Sequence, residues 1–205
     1  MHNPQNDDAW LAKRRGHITA SRIGLIARRK RNGEPYAGYD DYLMEVLTER
    51  LTGRTTERFV TAAMQWGIEQ EAFAADLYQF ETGIDLATSD YVEHPEIAMS
   101  GASPDRLIGS DGLLEIKCPN TRTHVDFLLT GEIDENYIWQ MVWQMECAGR
   151  SWCDFMSYDP RLPVHLQSKT VRIHRDAEKA ETARQAVTEA LATIENLQAK
   201  LEALT

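Results

Sequence analysis

The chain is poor in the features that mark secreted or membrane proteins. It has three cysteines in 205 residues, Cys118, Cys147 and Cys153. The number is odd and contains no CxxC pair, which argues against a disulfide framework and against a four-cysteine metal or iron–sulfur site. No apolar run approaches the ~20 residues of a membrane span. The opening Met1-His-Asn-Pro-Gln-Asn-Asp-Asp lacks the basic and apolar regions of a secretory signal. A cytoplasmic protein with no membrane attachment is expected. Repeats, low-complexity tracts and Pro/Ser-rich linkers are absent, so residues 1–205 read as a single domain with a C-terminal helix over 176–205. A chain of this length buries roughly 70% of its unfolded surface and needs no staple to hold a core.

Basic charge is scarce as well. With 22 Lys and Arg against 32 Asp and Glu, the net charge is −10, whereas phosphate binding usually leaves a basic footprint. The distribution qualifies that inference. Lys13, Arg14, Arg15, Arg22, Arg28, Arg29, Lys30 and Arg31 crowd into residues 13–31 with no acid among them, and Trp66 to Glu115 holds eleven acids against one base, Arg106. The first run suits a solvated helix face or a phosphate-binding surface. The second suits plain surface or a divalent-cation site.

Hydrophobic spacing and turn residues predict the elements. A helix begins near Thr19 or Ser21, with one of them near its cap, and ends in Asn32-Gly33-Glu-Pro35. A second runs from Asp40 to Leu51, stopped by Gly53. A third covers about Glu57 to Glu81, with Phe59, Ala63, Trp66, Phe73, Leu77 and Phe80 as its apolar positions. Strands follow at Ile84 to Ala87, Tyr91 to Glu93, Ile97 to Ser100 and Arg106 to Ile108. After the Gly109-Ser-Asp-Gly112 reversal the strand Leu113 to Lys117 returns until Pro119. Asp134 to Ala148 is helical. Trp152 to Tyr158 and Lys169 to His174 are strands. Interleaved strands and helices imply an α/β (α+β) layered domain. From Asp176 onward, Ala180, Ala183, Val187, Ala190, Ile194, Leu197, Leu201 and Leu204 form a heptad-like seam. Such a seam serves a coiled coil or, more commonly at this length and alanine content, packs on its own domain.

Chemistry concentrates in Ser103-Pro-Asp105, nine residues, then Glu115-Ile-Lys117. Alternation along a strand puts Glu115 and Lys117 on one face and Leu114 and Ile116 on the other, with Asp105 on the neighbouring strand. Paired carboxylates suit Mg²⁺ or Mn²⁺, and a lysine beside them takes a proton or neutralises developing charge. The plain alternative is a hairpin with an exposed Glu–Lys pair. His17, His124, His165 and His174 have no ligand spacing and read as ordinary histidines. Trp139 and Trp143, four apart, read as core or subunit packing, and Cys118 and Cys147 as buried small hydrophobes.

The chain also contains Arg14-x-Gly16-x-Ile18-Thr-Ala-Ser21, Trp66-Gly67-x-x-x-Glu71, Leu114-Glu-Ile-Lys-Cys-Pro119, Tyr137-x-x-Gln140 and Tyr158-Asp-Pro-Arg161. With Ser103-Pro-Asp105, this ordered set resembles the phage lambda exonuclease (YqaJ-type viral recombinase) branch of the PD-(D/E)xK nucleases along most of its length. The resemblance implies a restriction-endonuclease-like core, a central mixed sheet flanked by helices. It implies that Asp105, Glu115 and the carbonyl of Ile116 ligate two Mg²⁺, for which Mn²⁺ can substitute. Glu71 would complete the acidic cluster and Lys117 would be the catalytic lysine. Gln140 matches a polar active-site position, and Arg14, Ser21 and Ser103 fall where the DNA 5′-phosphate is held. Glu69 departs from the pattern, although residues two apart do not share a helix face.

The implied activity is 5′→3′ digestion of double-stranded DNA from 5′-phosphorylated ends to 5′-mononucleotides. It would be carried out by a homotrimer ring beside a single-strand annealing protein, in phage-type recombination within a bacterial host. Two Mg²⁺ would reduce the −10 charge to −6. The competing readings are another PD-(D/E)xK nuclease, such as an endonuclease, and a non-enzymatic DNA-binding or assembly protein.

Overall fold

A computed structural model describes residues 8–56 and 61–204. Its centre is a five-stranded mixed sheet in the order β2-β5-β6-β7-β8, formed by Leu86–Thr88, Arg106–Ile108, Gly112–Lys117, Trp152–Tyr158 and Ser168–His174. The β6 and β7 strands run parallel and the other neighbours antiparallel. Apart from Lys117 and Trp152 at their ends, β6 and β7 are buried throughout, as expected of central strands covered on both faces. A small three-stranded sheet, β1-β4-β3, comprises Ile18–Thr19, Ser100–Ala102 and Val92–Glu93.

Helices cover both faces of the large sheet. On one side α4 (Ala62–Thr82) lays Ala74, Ala75 and Tyr78 against Leu114, Ile116 and Met156. On the other, α5 (Thr121–Thr130) and α6 (Glu135–Ala148) bring Phe127, Met141 and Met145 onto Leu113, Cys153 and Phe155. Odd and even positions of β6 therefore lie in different layers, which puts Glu115 on the α6 side. A further core joins α2 (Ile23–Ala27), α3 (Tyr39–Thr52), α6 and α7 (Ala177–Glu202) through Ile23, Ile26, Leu43, Leu47, Trp143 and Val187.

The helix expected from Thr19 or Ser21 to Asn32 is shorter. A 3-10 turn at Ala20–Arg22 leads into α2, which ends at Ala27, and Thr19 caps the turn without a side-chain bond. The basic run then forms an excursion closed by an Arg29–Pro35 bridge. The strand expected at Ile97 to Ser100 is shifted to Ser100–Ala102, because the chain turns over residues 97–99 and Met99 takes a left-handed φ of 60°. Of the third expected helix, residues 57–60 lie outside the described residues, and Thr61 caps α4 through the Met64 N–H. Phe73 and Phe80 are exposed rather than packed, since the small Ala74 and Ala75 form the contact stripe. Two helices are additional to expectation, α1 (Asp8–Arg14) and α5. The seam of α7 packs within the chain through Ala183, Val187, Ala190 and Ile194, while Leu201 and Leu204 remain exposed. No helix among the described residues is long and apolar enough to cross a membrane.

Candidate active site

Glu115 is the centre of the arrangement. It is fully buried in β6 and receives three donors. Gln140 Nε2 donates to Oε1 and Gln144 Nε2 to Oε2, both at 2.6 Å, and Lys117 Nζ also donates to Oε1. Gln140 and Gln144 lie four residues apart on α6, so one helix face delivers both amides. Lys117 occupies the end of the strand, two residues on and therefore on the same face as Glu115.

Asp105 precedes β5, and its Oδ2 accepts from the Ile116 N–H at 2.7 Å. Burial, then the Glu115 and Glu71 carboxylates, push the Asp105 carboxyl well above its ordinary value, with Lys117 and the Ile116 N–H opposing. The Lys117 pKa is raised as well, by a different balance. Burial works against its charge, but Glu115 and Asp105 outweigh burial and raise its pKa. Both shifts describe carboxylates crowded around a lysine in a poorly solvated space.

Glu71 projects from α4 and accepts from Arg106 Nη1 at 2.9 Å. Glu69 is exposed and accepts from Gln65 on its own helix. The two acids thus have different surroundings, and Glu71 is the one that acts on Asp105. Among the described residues no three His, Cys, Asp or Glu side chains form a ready-made metal cage. Asp105, Glu115 and Glu71 nevertheless bring hard oxygen donors to one region, next to the Ile116 backbone that holds Asp105.

Arg14 belongs to a second group near the same loop. Its guanidinium lies 3.9 Å from the centre of the Trp10 ring, and both Arg14 Nη1 and Trp10 Nε1 donate to Ser103 Oγ at 3.1 Å. Gly16, at φ 69°, makes the turn after α1. Its N–H donates to Glu49 Oε2 and its carbonyl accepts from Arg50 Nε. The Arg14-x-Gly16 spacing therefore anchors Arg14 to α3. Ser21 is exposed on the 3-10 turn, and no bond joins it to Arg14 or Ser103 among the described residues.

Much of the basic run is paired: Lys13 with Asp90, Arg22 with Glu45, Arg29 with Glu189 and Lys30 with Glu34. Trp139 and Trp143 are buried. All three cysteines are buried, and burial holds their thiols up, that of Cys118 to about 12. None is a ready nucleophile. Gln144 is the site residue that sequence reasoning missed, and its only signal was the spacing from Gln140.

Comparison with known proteins shows the fold and the family. An alkaline exonuclease (LHK-Exo) from Laribacter hongkongensis matches with 42% identity and a TM-score of 0.85, over 97% of this chain and all of that one. The structure of LHK-Exo in complex with dAMP matches at 41% identity and a TM-score of 0.86, with the same coverage. A phage-related exonuclease from Haemophilus somnus 129PT shares the fold, with a TM-score of 0.74 at 16% identity over 90% of this chain and 96% of that one. No curated protein sequence matches. The YqaJ-like viral recombinase domain matches residues 9–151, so this chain, a mixed α/β protein with the site described above, belongs to the YqaJ-like viral recombinase family, which is lambda exonuclease-like.

Proposed function

We propose that the protein is a metal-dependent 5′→3′ exonuclease of double-stranded DNA that acts in phage-type recombination. The observation that carries the reading is the Asp105–Glu115–Lys117 group, set in a fold shared over nearly the whole chain with an alkaline exonuclease.

The donor set fits divalent cations. Asp105, Glu115 and Glu71 bring three carboxylates together, faced by the Lys117 ammonium and, at Glu71, by the Arg106 guanidinium, and a Mg²⁺ site ordinarily completes a partial set of carboxylates with water and substrate phosphate oxygens. Asp105, Glu115 and the Ile116 carbonyl would hold two Mg²⁺ with Glu71 beside them, and the ions would supply Lewis acidity at the phosphate. Mn²⁺ has the same ligand preference and would substitute.

The chain's own residues then have distinct tasks. Water adds to the scissile phosphorus and gives up a proton, the bond to the 3′ oxygen breaks and that oxygen takes up a proton, and a 5′-mononucleotide with a free 3′-hydroxyl leaves. Lys117, held protonated by its carboxylate neighbours, stabilises the charge that gathers on the phosphoryl oxygens. Gln140 and Gln144 fix both oxygens of Glu115, and the Ile116 N–H fixes Asp105, so the acids need no reorganisation as the reaction proceeds. Arg14 holds the terminal 5′-phosphate, pre-oriented by Trp10 and Ser103, and Ser21, an exposed hydroxyl on the 3-10 turn, would assist it. Linear and covalently closed duplexes separate this reading from an endonuclease. Mg²⁺-dependent loss of the linear form alone is expected, and nicking of the closed circle would contradict it.

A further inference from the structure

The acids of the site come from two layers. Glu115 faces α6, from which Gln140 and Gln144 reach it, whereas Glu71 stands on α4, which covers the opposite face of the sheet. Glu71 reaches the site at the start of β5, where its carboxylate is near enough to disfavour ionisation of Asp105. Core packing does not fix it there. The buried residues of α4 are Ala74, Ala75 and Tyr78, all beyond Glu71, and none of residues 61–73 is buried. Even a Cβ added at Gly67 would meet nothing within 4 Å.

Arg106 supplies the tie. It is the one base between Trp66 and Glu115 in the sequence. Leu107 packs in the layer of α5 and α6 and Ile108 in that of α4, so alternation along β5 turns Arg106 toward α4. Its Nη1 donates to Glu71 Oε1 at 2.9 Å and to the Asp105 carbonyl at 2.6 Å. A single nitrogen thus joins the helix acid to the backbone of the residue that carries the second acid. The two side chains are only 13% and 17% exposed, so water screens the pair little, and removal of one partner leaves the other uncompensated.

We propose that Arg106 is a positioning residue: bonded at once to Glu71 and to the Asp105 carbonyl, it sets the Glu71 carboxylate against Asp105 and Glu115, so that Glu71 joins them in holding a divalent cation. The proposal rests on the metal-dependent exonuclease reading. It has an electrostatic opposite. Loss of a positive charge beside three carboxylates would, by Coulomb attraction alone, tighten the binding of a cation, whereas loss of a positioning bond weakens it.

The test is calorimetric titration of Mn²⁺ into wild type, Arg106→Gln, Glu71→Ala and the double variant. Arg106→Met, which keeps the aliphatic stem, serves as a second replacement, and circular dichroism verifies each fold. Wild type should bind Mn²⁺ about tenfold or more tighter than either Arg106 variant or Glu71→Ala. In the Glu71→Ala background Arg106→Gln should cost nothing further. Affinity equal to or above that of wild type in a folded Arg106 variant or in Glu71→Ala would overturn the proposal. An equal loss with and without Glu71 would overturn it too, since a merely structural role for Arg106 does not depend on that carboxylate. Mg²⁺-dependent nucleotide release from linear DNA, measured on the same wild-type sample, separates the two readings: digestion with unaltered Mn²⁺ binding in the Arg106 variants removes the positioning role alone, and absence of digestion removes the exonuclease reading itself.

Discussion

Glu115 shows how much of the site depends on single atoms. Its two oxygens are met by two glutamine amides and an ammonium, and hydrogen bonds to charged groups contribute about 1.5–3 kcal/mol each. Gln144→Leu should therefore lower the digestion rate about tenfold or more while Gln65→Leu, which touches only exposed Glu69, leaves it unchanged. A normal rate in Gln144→Leu would remove that residue from the site. Arg14→Ala should slow digestion of 5′-phosphorylated DNA roughly ten- to 150-fold, and slow 5′-hydroxyl DNA far less. Equal losses on both ends would make Arg14 a general backbone contact. Asp105, Glu115 and Lys117 were legible in the sequence because strand alternation alone places the last two on one face. Gln144 was not, since a glutamine among Met141, Val142, Trp143 and Met145 reads as an ordinary helix former. Glu71 and Glu69 were chemically indistinguishable until Arg106 and Gln65 separated them.

Elements were legible where burial imposed a period. Both β5 and β7 occupy the expected residues, and α3 and α4 end at glycines in the left-handed region. The α1 helix buries no residue, so no period announced it. In α5 the caps were present, Asn120 and Gly131, but Thr121, Thr123, Val125 and Thr130 weaken helix propensity and hid it. The crossing of α2 and α6 rests on Gly24, where an added Cβ would lie 2.7 Å from Asn136 Oδ1 and 3.1 Å from Asn136 Cα. Gly24→Ala should destabilise the fold by about 1–3 kcal/mol in urea unfolding, and an unchanged midpoint would mean that the helices part freely. The turn before β4 carries a pH dependence. His94 Nδ1 accepts from the Glu96 and Ile97 N–H groups at 3.1 and 3.0 Å, and its ring stacks on Trp143. Burial lowers its pKa against the opposing pull of Glu146 and Glu96. A histidine with a depressed folded pKa contributes stability that is present above its unfolded value of about 6.5 and lost as the pH falls through the folded value. Thermal stability should drop between pH 7 and 5, by at most about 1.4 kcal/mol per pH unit from this group, and His94→Gln should flatten that slope. An identical slope in the variant would assign the effect elsewhere.

At the scale of the whole molecule, the acidic chain conceals its cations, because many of the basic residues of 13–31 are paired with acids from α3, α7 and the loops. Charge counted along the sequence could not reveal most of this, since the partners of Lys13, Arg22 and Arg29 lie far away in the chain. The homotrimer implied by resemblance gains no support from α7, whose seam is spent inside the chain. Light scattering tests it independently: a trimer of the 23.3 kDa chain should appear at about 70 kDa, and a monomer at micromolar concentration would exclude the ring. A pull-down with a co-encoded single-strand annealing protein tests the proposed partnership, and failure to bind would remove it without touching the nuclease. The central claim is most directly tested by incubating the protein with linear duplex DNA labelled at either the 5′ or the 3′ end, with Mg²⁺ or with a chelator, alongside Asp105→Asn. Early release of the 5′ label as a mononucleotide, by wild type and only with Mg²⁺, is the predicted result. Release of the 3′ label first, digestion in chelator, or an Asp105→Asn rate near that of wild type would contradict the account.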